Sequence, residues 1–308
     1  MNETRLPLIV ILGPTGVGKT EISIKVAKRF QGEIVSADSR LFYKGMDIGT
    51  AKPTPEEQKG VAHHLIDVAD PDRIWSLAVF LPQALQVIQD IHDRDKLPFL
   101  VGGTGQYIHA IVQGWDLPEI KPDPALRAVL KKWADVIGPD GLRRRLTVLD
   151  QAAADAIDGP NVRRMIRAME VILSSGRKFS SQKTKSGSRF KVLQIGLTRP
   201  REELYARIDQ RIEVMLQAGL VSEVQGLLDA GYDPELSSLS AIGYQQIIAH
   251  LLDGVPLEEA IRQIRSKTRK YVRQQANWFK ENDPDIHWFL ASNHPVEVIC
   301  HEIQQFLS

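Results

Sequence analysis

Gly13, Pro14, Thr15, Gly16, Val17, Gly18, Lys19 and Thr20 carry the densest chemical information in this chain of 308 residues. They fit G-x-x-x-x-G-K-[ST], the pattern in which backbone N–H groups and a lysine ammonium surround a phosphate. A glycine turn can match by chance, so the context decides. The apolar run 8–12 before it is short, β-branched and bounded by Gly and Pro, and reads as a buried strand. Behind it, Ile22, Ile24, Val26, Ala27 and Phe30 alternate with charged residues as in an amphipathic helix. Strand, loop and helix N-terminus turn the positive end of the helix dipole toward an anion. A diphosphate-type group therefore binds here. The motif leaves open whether that group is hydrolysed, donates a phosphoryl group or departs as a leaving group.

Asp38 and Ser39 follow a second strand-like run, 33–37. A carboxylate at that strand end can coordinate magnesium or serve as a general base; it can equally form an Asx turn. A third run, 97–101, ends in Gly102, Gly103, Thr104 and Gly105, which permit close backbone approach. An ATPase usually places a magnesium-binding Asp at such a strand end, and none stands here. Segment 43–53, small and polar, reads as a loop lining a site or as a surface turn. His63 and His64 are adjacent, so they point in different directions and make a poor metal pair. Arg262, Arg265, Arg269 and Arg273 recur at three- and four-residue steps, one stripe of a helix, and Arg207 and Arg211 stand one turn apart. Within such sets about half should touch a ligand and half close salt bridges inside the protein.

These residues need a scaffold, and the first hundred positions supply alternating strands and helices, with a helix over 77–93. That alternation predicts an α/β fold with a parallel sheet, helices on both faces and ligands at the carboxyl ends of the strands. Near Trp115 the texture changes. A proline-punctuated linker leads into helices over 125–136, 141–149, 152–157 and 162–174, and the polar stretch 174–188 reads as an exposed, mobile loop. Run 190–197 is again strand-like. The expectation is a discontinuous P-loop core, 1–115 and 191–308, interrupted by a helical insertion, 116–190. Residues 201–281 read as mainly helical, and 286–290 as a last short strand before a terminal helix.

The net charge of +1 conceals an uneven distribution. Arg163, Arg164, Arg167, Arg177, Lys178, Lys183, Lys185, Arg189 and Lys191 face Glu170 as the one acid between them, and 262–280 holds seven basic residues and no acid. Solvated helix faces and a polyanion surface both produce such runs; two of them make nucleic acid an even competitor. Cys300 is the sole cysteine, which excludes an intramolecular disulfide and fits a reducing compartment. With no signal-peptide pattern and no apolar run near the roughly 20 residues of a membrane span, a cytoplasmic location is expected.

Taken in order, the segments GPTGVGKT at 13–20, SADSRLFYKGMDIGTAKP at 36–53, HHLID at 63–67, VGGTGQYI at 101–108, NVRRMIRAMEV at 161–171, AIGYQQ at 241–246 and TRKYVRQQANWF at 268–279 resemble the bacterial-type tRNA dimethylallyltransferases, also called tRNA isopentenyltransferases. The resemblance covers essentially the whole chain. Gln106, Leu41 and Gln245 depart from the commoner residues and leave every candidate catalytic group in place.

The resemblance implies transfer of a dimethylallyl group from dimethylallyl diphosphate to N6 of the adenosine at position 37 of tRNA, 3′ to the anticodon. It implies magnesium, bound through Thr20, with residues 13–20 and Arg211 on the diphosphate and Lys19 countering its charge as it leaves. It assigns Asp38 as the base and sets Thr104 near the reacting centre. It also implies tRNA contacts at Asp38, Ser39, Arg40, Leu41, Thr104, Arg127, Arg163, Arg164, Met165, Ile166 and Arg167, with the insertion gripping the anticodon stem-loop, and a monomer. An adenylate isopentenyltransferase shares the core but needs no RNA grip. A small-molecule kinase using ATP in the P-loop is the strongest rival from the residues alone, and a non-enzymatic P-loop RNA-binding module is a third.

Overall fold

A computed structural model describes residues 5–118, 120, 123–182 and 187–308. Lys121 and Pro122 of the linker, and Lys183 and Lys185 of the basic segment, lie outside the described residues, as do residues 1–4. The chain divides into two compact units, Met1–Val112 with Ser188–Ser308, and Gln113–Gly187.

In the first unit, β1 (Pro7–Leu12), α1 (Lys19–Arg29), β2 (Glu33–Ser36), α2 (Pro55–Gln58), β3 (His63–His64), α3 (Leu77–His92), β4 (Pro98–Gly102) and α4 (Gly105–Val112) alternate along the chain. The insertion contributes α5 (Pro124–Leu149), α6 (Gln151–Asp155), α7 (Val162–Ser175) and α8 (Phe179–Gln182). The first unit then resumes with β5 (Lys191–Thr198), α9 (Arg201–Gln217), α10 (Leu220–Asp229), α11 (Tyr244–Asp253), α12 (Leu257–Gln275), β6 (Ile286–Leu290) and α13 (Val296–Leu307).

All six strands are parallel, in the order β3-β2-β4-β1-β5-β6. Both neighbours of β1 run in register with it, Ile9 beside Phe99 and Leu193. Strands buried on both faces need apolar residues at every position, and β1 is buried from Leu8 to Leu12. Ile9, Ile11, Phe99, Val101, Ile195 and Leu197 pack on one face with α1, α9, α10 and α11. The alternate residues turn to the other face, where α3 and α4 cross the sheet. The parallel α/β core is the one the sequence pattern predicts. The strand His63–His64 was missed because two residues carry no periodicity; His64 Nε2 meets Glu33 at 2.6 Å across the pair.

The insertion has its own core of Leu130, Ala134, Leu142, Leu146, Met165, Ala168 and Met169. Its first two expected helices are both present within α5, separated by a kink at Gly138 (φ 69°) before Pro139, where the ring removes a backbone donor. The reading of 174–188 as a loop is corrected for 179–182. Buried Asp150 accepts from the Ser180 N–H and hydroxyl, both at 2.8 Å, and so fixes a helical turn after α7. Burial alone would push the Asp150 carboxyl up; these hydrogen bonds outweigh it and hold the carboxyl below its usual range.

Candidate active site

Strand order decides what meets what. β4 lies between β1 and β2, so the turn after β4 separates the P-loop after β1 from the Asp38 turn after β2. All three open at the same end of a parallel sheet, where such folds bind ligands.

The loop's shape follows from its glycines. Gly13 takes φ +148° with its α-carbon against β5; a methyl group there would stand 2.5 Å from the Leu197 carbonyl oxygen. Gly18 caps α1 at φ 108° with no side-chain cap, so the first-turn N–H groups face the loop without a competing acceptor from the cap. Arg207 Nε donates to Gly16 O and Arg199 Nε to Val17 O, each at 2.9 Å, which pins the loop from outside.

Lys19 Nζ donates to Gly13 O at 3.0 Å and Pro14 O at 2.9 Å. Burial lowers its pKa to about 8, Asp38 opposes that shift and Arg211 adds to it. Arg211, on α9, is also held below its usual range by burial, and again Asp38 works against the shift. The half-buried Asp38 carboxylate thus acts on two desolvated cations beside the loop, with Glu57 and Arg207 also acting on Arg211. The paired arginines of α9 divide their work: Arg207 holds a loop carbonyl, whereas Arg211 faces Asp38 and reaches Thr50 O at 3.4 Å.

Asp38 forms the Asx turn as well, since Oδ1 accepts from Arg40 N–H at 3.0 Å. That bond orients the carboxylate and is compatible with a role as base. Ser39 N–H donates to Thr104 Oγ1 at 3.2 Å, tying the Asp38 turn to the turn after β4. Arg40 is turned inward, donating to Ser237 O at 3.0 Å and Ser238 O at 3.2 Å. Leu41 is half-buried, its carbonyl accepting from Asp67 N–H. Thr20 is exposed in the first turn of α1.

Three further contributors were not singled out from the sequence. Tyr271 on α12 stands beside Thr104 and Asp38; burial and the Asp38 carboxylate push its hydroxyl up to about 12, so it is uncharged at neutral pH. One turn on, Gln275 accepts from Thr15 N–H and donates to Gly103 O. Glu223 on α10 accepts from three successive amides, Asp47, Ile48 and Gly49, and from the Tyr244 hydroxyl, which fixes loop 46–50 and with it Thr50. The linear signals for Tyr271 and Gln275 were the helical pattern of α12 and the segment TRKYVRQQANWF, neither of which gave them a role, and Glu223 had none.

The arginine stripe of α12 is largely spoken for. Arg262 pairs with Glu259, Arg265 with Glu213 and Arg269 with Asp209, while Arg273 reaches the Tyr205 hydroxyl at 3.1 Å. A segment without acids in sequence finds two of its carboxylate partners, Asp209 and Glu213, on α9, which the fold lays alongside.

The insertion sorts its candidates just as sharply. Arg163 and Arg164 are exposed in the first turn of α7, the end where the helix dipole disfavours cations, so helix stability is not what keeps them there. Arg127 and Arg167 instead flank Glu170, whose side chain is 0 % exposed, at 2.9 and 2.6 Å. Burial would raise the Glu170 carboxyl; the two guanidinium groups and Asp123 N–H outweigh that and lower it. The Met165 side chain lies in the core of the insertion, so of the expected contacts it offers only backbone, and Ile166 packs half-buried against that core.

Comparison with known proteins agrees with this fold. A family model described as IPP transferase matches residues 41–282, and one described as Isopentenyl transferase matches 6–70. A protein of Roseiflexus sp. (strain RS-1) named tRNA dimethylallyltransferase is 48% identical over 275 residues, 89% of this chain and 90% of that protein. The chain belongs to the tRNA dimethylallyltransferase family. A second member, from Thermomicrobium roseum, is 46% identical over 94% of this chain and 87% of its own length. The crystal structure of the full-length tRNA isopentenylpyrophosphate transferase from Bacillus halodurans aligns with a TM-score of 0.73 at 40% identity, covering 98% of this chain and 96% of that one. Crystallographic snapshots of a eukaryotic dimethylallyltransferase acting on tRNA align at 0.82 and 26% identity, over 97% and 80%.

Proposed function

We propose that the chain transfers a dimethylallyl group from dimethylallyl diphosphate to N6 of the adenosine at position 37 of tRNA. The observation that carries this reading is the Asp38 carboxylate, oriented by Arg40 N–H on a turn tied to Thr104 and within the electrostatic reach of both Lys19 and Arg211. A kinase would also need a base, but the turn after β4 offers only Gly102, Gly103, Thr104 and Gly105, without the acid that usually completes a nucleotide-hydrolysing site. Family membership then favours the isoprenoid donor.

The residues divide the reaction between them. The exocyclic amine attacks C1 of the dimethylallyl group as the C1–O bond breaks; the new bond is N6–C1, and the electron pair leaves on the diphosphate. Asp38 accepts the proton that N6 loses. Lys19, Arg211 and the uncapped N–H groups of α1 stabilise the departing charge in a desolvated site, where such donors act most strongly. Thr104, with its hydroxyl fixed by Ser39 N–H, orients the nucleobase beside Asp38. Magnesium fits this donor set. It takes one or two protein oxygens plus phosphates and water, and among the described residues no cluster of three or more His, Cys, Asp or Glu is placed to cage a metal by itself. Thr20 would hold it, and it would supply positive charge on the diphosphate oxygens.

In the insertion, Arg163 and Arg164 present free guanidinium groups suited to the phosphates of an anticodon stem-loop. Residues of the anticodon loop stand outside a duplex, so bringing the adenine to Asp38 costs less than flipping it from a helix. No helix of the described residues is long and apolar enough to cross a membrane. A monomer acting in the cytoplasm is the simplest setting for this chemistry.

Mass spectrometry of nucleosides from unmodified tRNA incubated with the protein, magnesium and dimethylallyl diphosphate tests the reading. Prenylated adenosine is the expected product, and phosphate release from ATP without prenyl transfer would overturn it. Asp38→Ala should lose turnover by about two to four orders of magnitude while tRNA binding persists. Normal prenylation by that variant would remove Asp38 as the base.

A further inference from the structure

The donor loop and the acceptor side of this site come from different strands, and hydrogen bonds from one buried side chain join them. Gln275, the last residue of α12, is 3 % exposed and lies 260 positions from its first partner. Its Oε1 accepts from Thr15 N–H at 2.9 Å, and its Nε2 donates to Gly103 O at 3.0 Å. An uncharged amide offers an acceptor and a donor on separate atoms, so both bonds are satisfied with no charge added beside a diphosphate site.

The bridge continues on each side. Gly103 fits closely: a methyl on its α-carbon would run into the Gln275 amide and stand 3.5 Å from Lys19 Nζ and 3.2 Å from Gly13 O. Gly103 precedes Thr104, whose hydroxyl accepts from Ser39 N–H beside Asp38. One connected path therefore runs from the P-loop through Gln275 to Gly103, Thr104, Ser39 and Asp38. Tyr271, one turn earlier on the same helix, stands beside Thr104, and Trp278 packs against Gly105.

We propose that Gln275 is a positioning residue for the transfer reaction. Its side-chain amide sets the separation between the loop that holds the diphosphate and the turn that carries Thr104 and, through it, Asp38. The proposal rests on the prenyl-transfer reading, and it makes α12 part of the site although its arginines are engaged elsewhere. In-line transfer depends on the distance between leaving group and nucleophile, so slackening this bridge costs rate more than affinity.

Gln275→Met keeps length and burial and removes both bonds. Its kcat for prenyl transfer should fall by about 10- to 100-fold, with KM for each substrate changed less than about threefold. Hydrogen–deuterium exchange should rise together at residues 13–18 and 102–106. Gln275→Glu still accepts from Thr15 N–H but cannot donate to Gly103 O, so it should raise exchange at 102–106 and spare 13–18. That variant carries the test if the methionine variant does not fold. Wild-type kcat in folded Gln275→Met, or a lowered melting temperature with unchanged kcat and no local rise in exchange, would overturn the proposal. A wild-type protein that fails to prenylate tRNA would overturn the reaction assignment, while the exchange pattern would still decide whether the bridge exists.

Discussion

At the scale of single residues, Lys19 connects charge to binding. Its pKa of about 8 in the free site means that the ammonium present at neutral pH is lost as the pH rises through that value. On the proposed reading a diphosphate binds the charged form, so its affinity should fall as the pH rises above about 8, toward tenfold per unit if the neutral amine contributes nothing. Calorimetric titration of inorganic diphosphate across that range should show the fall. Lys19→Arg, which cannot deprotonate there, should flatten it. A profile equally steep in both proteins would place the titrating group elsewhere. Arg207 and Arg211 show how little a residue type decides alone: one turn apart on a helix, one props up a carbonyl and the other faces the reacting charge.

At the scale of elements, Glu170 joins α7 to α5 by accepting two guanidinium groups and the Asp123 N–H. Glu170→Ala should destabilise the insertion by about 3 kcal/mol, the low end for a breached buried pair because both arginines keep some contact with water. Thermal melts read that loss, and an unchanged midpoint would make the cluster incidental. The P-loop, Asp38 and Thr104 were legible in the sequence because each directly follows a short apolar strand, and position at a strand's carboxyl end already predicts a cleft. Gln275, Glu223 and Tyr271 were not, because their partners are distant in sequence and only the packing of α10 and α12 onto the loops reveals them. The same limit applies to charge: a row of arginines looks free until Asp209 and Glu213 are laid against it. Arg127 and Arg167 look like Arg163 in the sequence, and only the burial of Glu170 separates them.

At the scale of the whole molecule, that sorting of charge makes a statement about RNA affinity. Each arginine that replaces a counterion on a phosphate adds about 0.7–0.9 to the slope of log affinity against log salt. Arg163→Gln and Arg164→Gln should each reduce the slope by about that amount, whereas Arg265→Gln, already paired with Glu213, should leave it nearly unchanged. Filter binding of tRNA over a salt series measures this, and equal effects at all three positions would refute the division. The pairing of β1 carries a different consequence, for the order in which the protein comes into being. β1 takes one neighbour from Pro98–Gly102 and the other only from Lys191–Thr198. As the chain leaves the ribosome, the strand that leads into the P-loop waits with one edge open until the entire insertion has been synthesised. The insertion, which has a core of its own, can fold within that interval, so the part assigned to grip RNA is complete before the catalytic sheet closes.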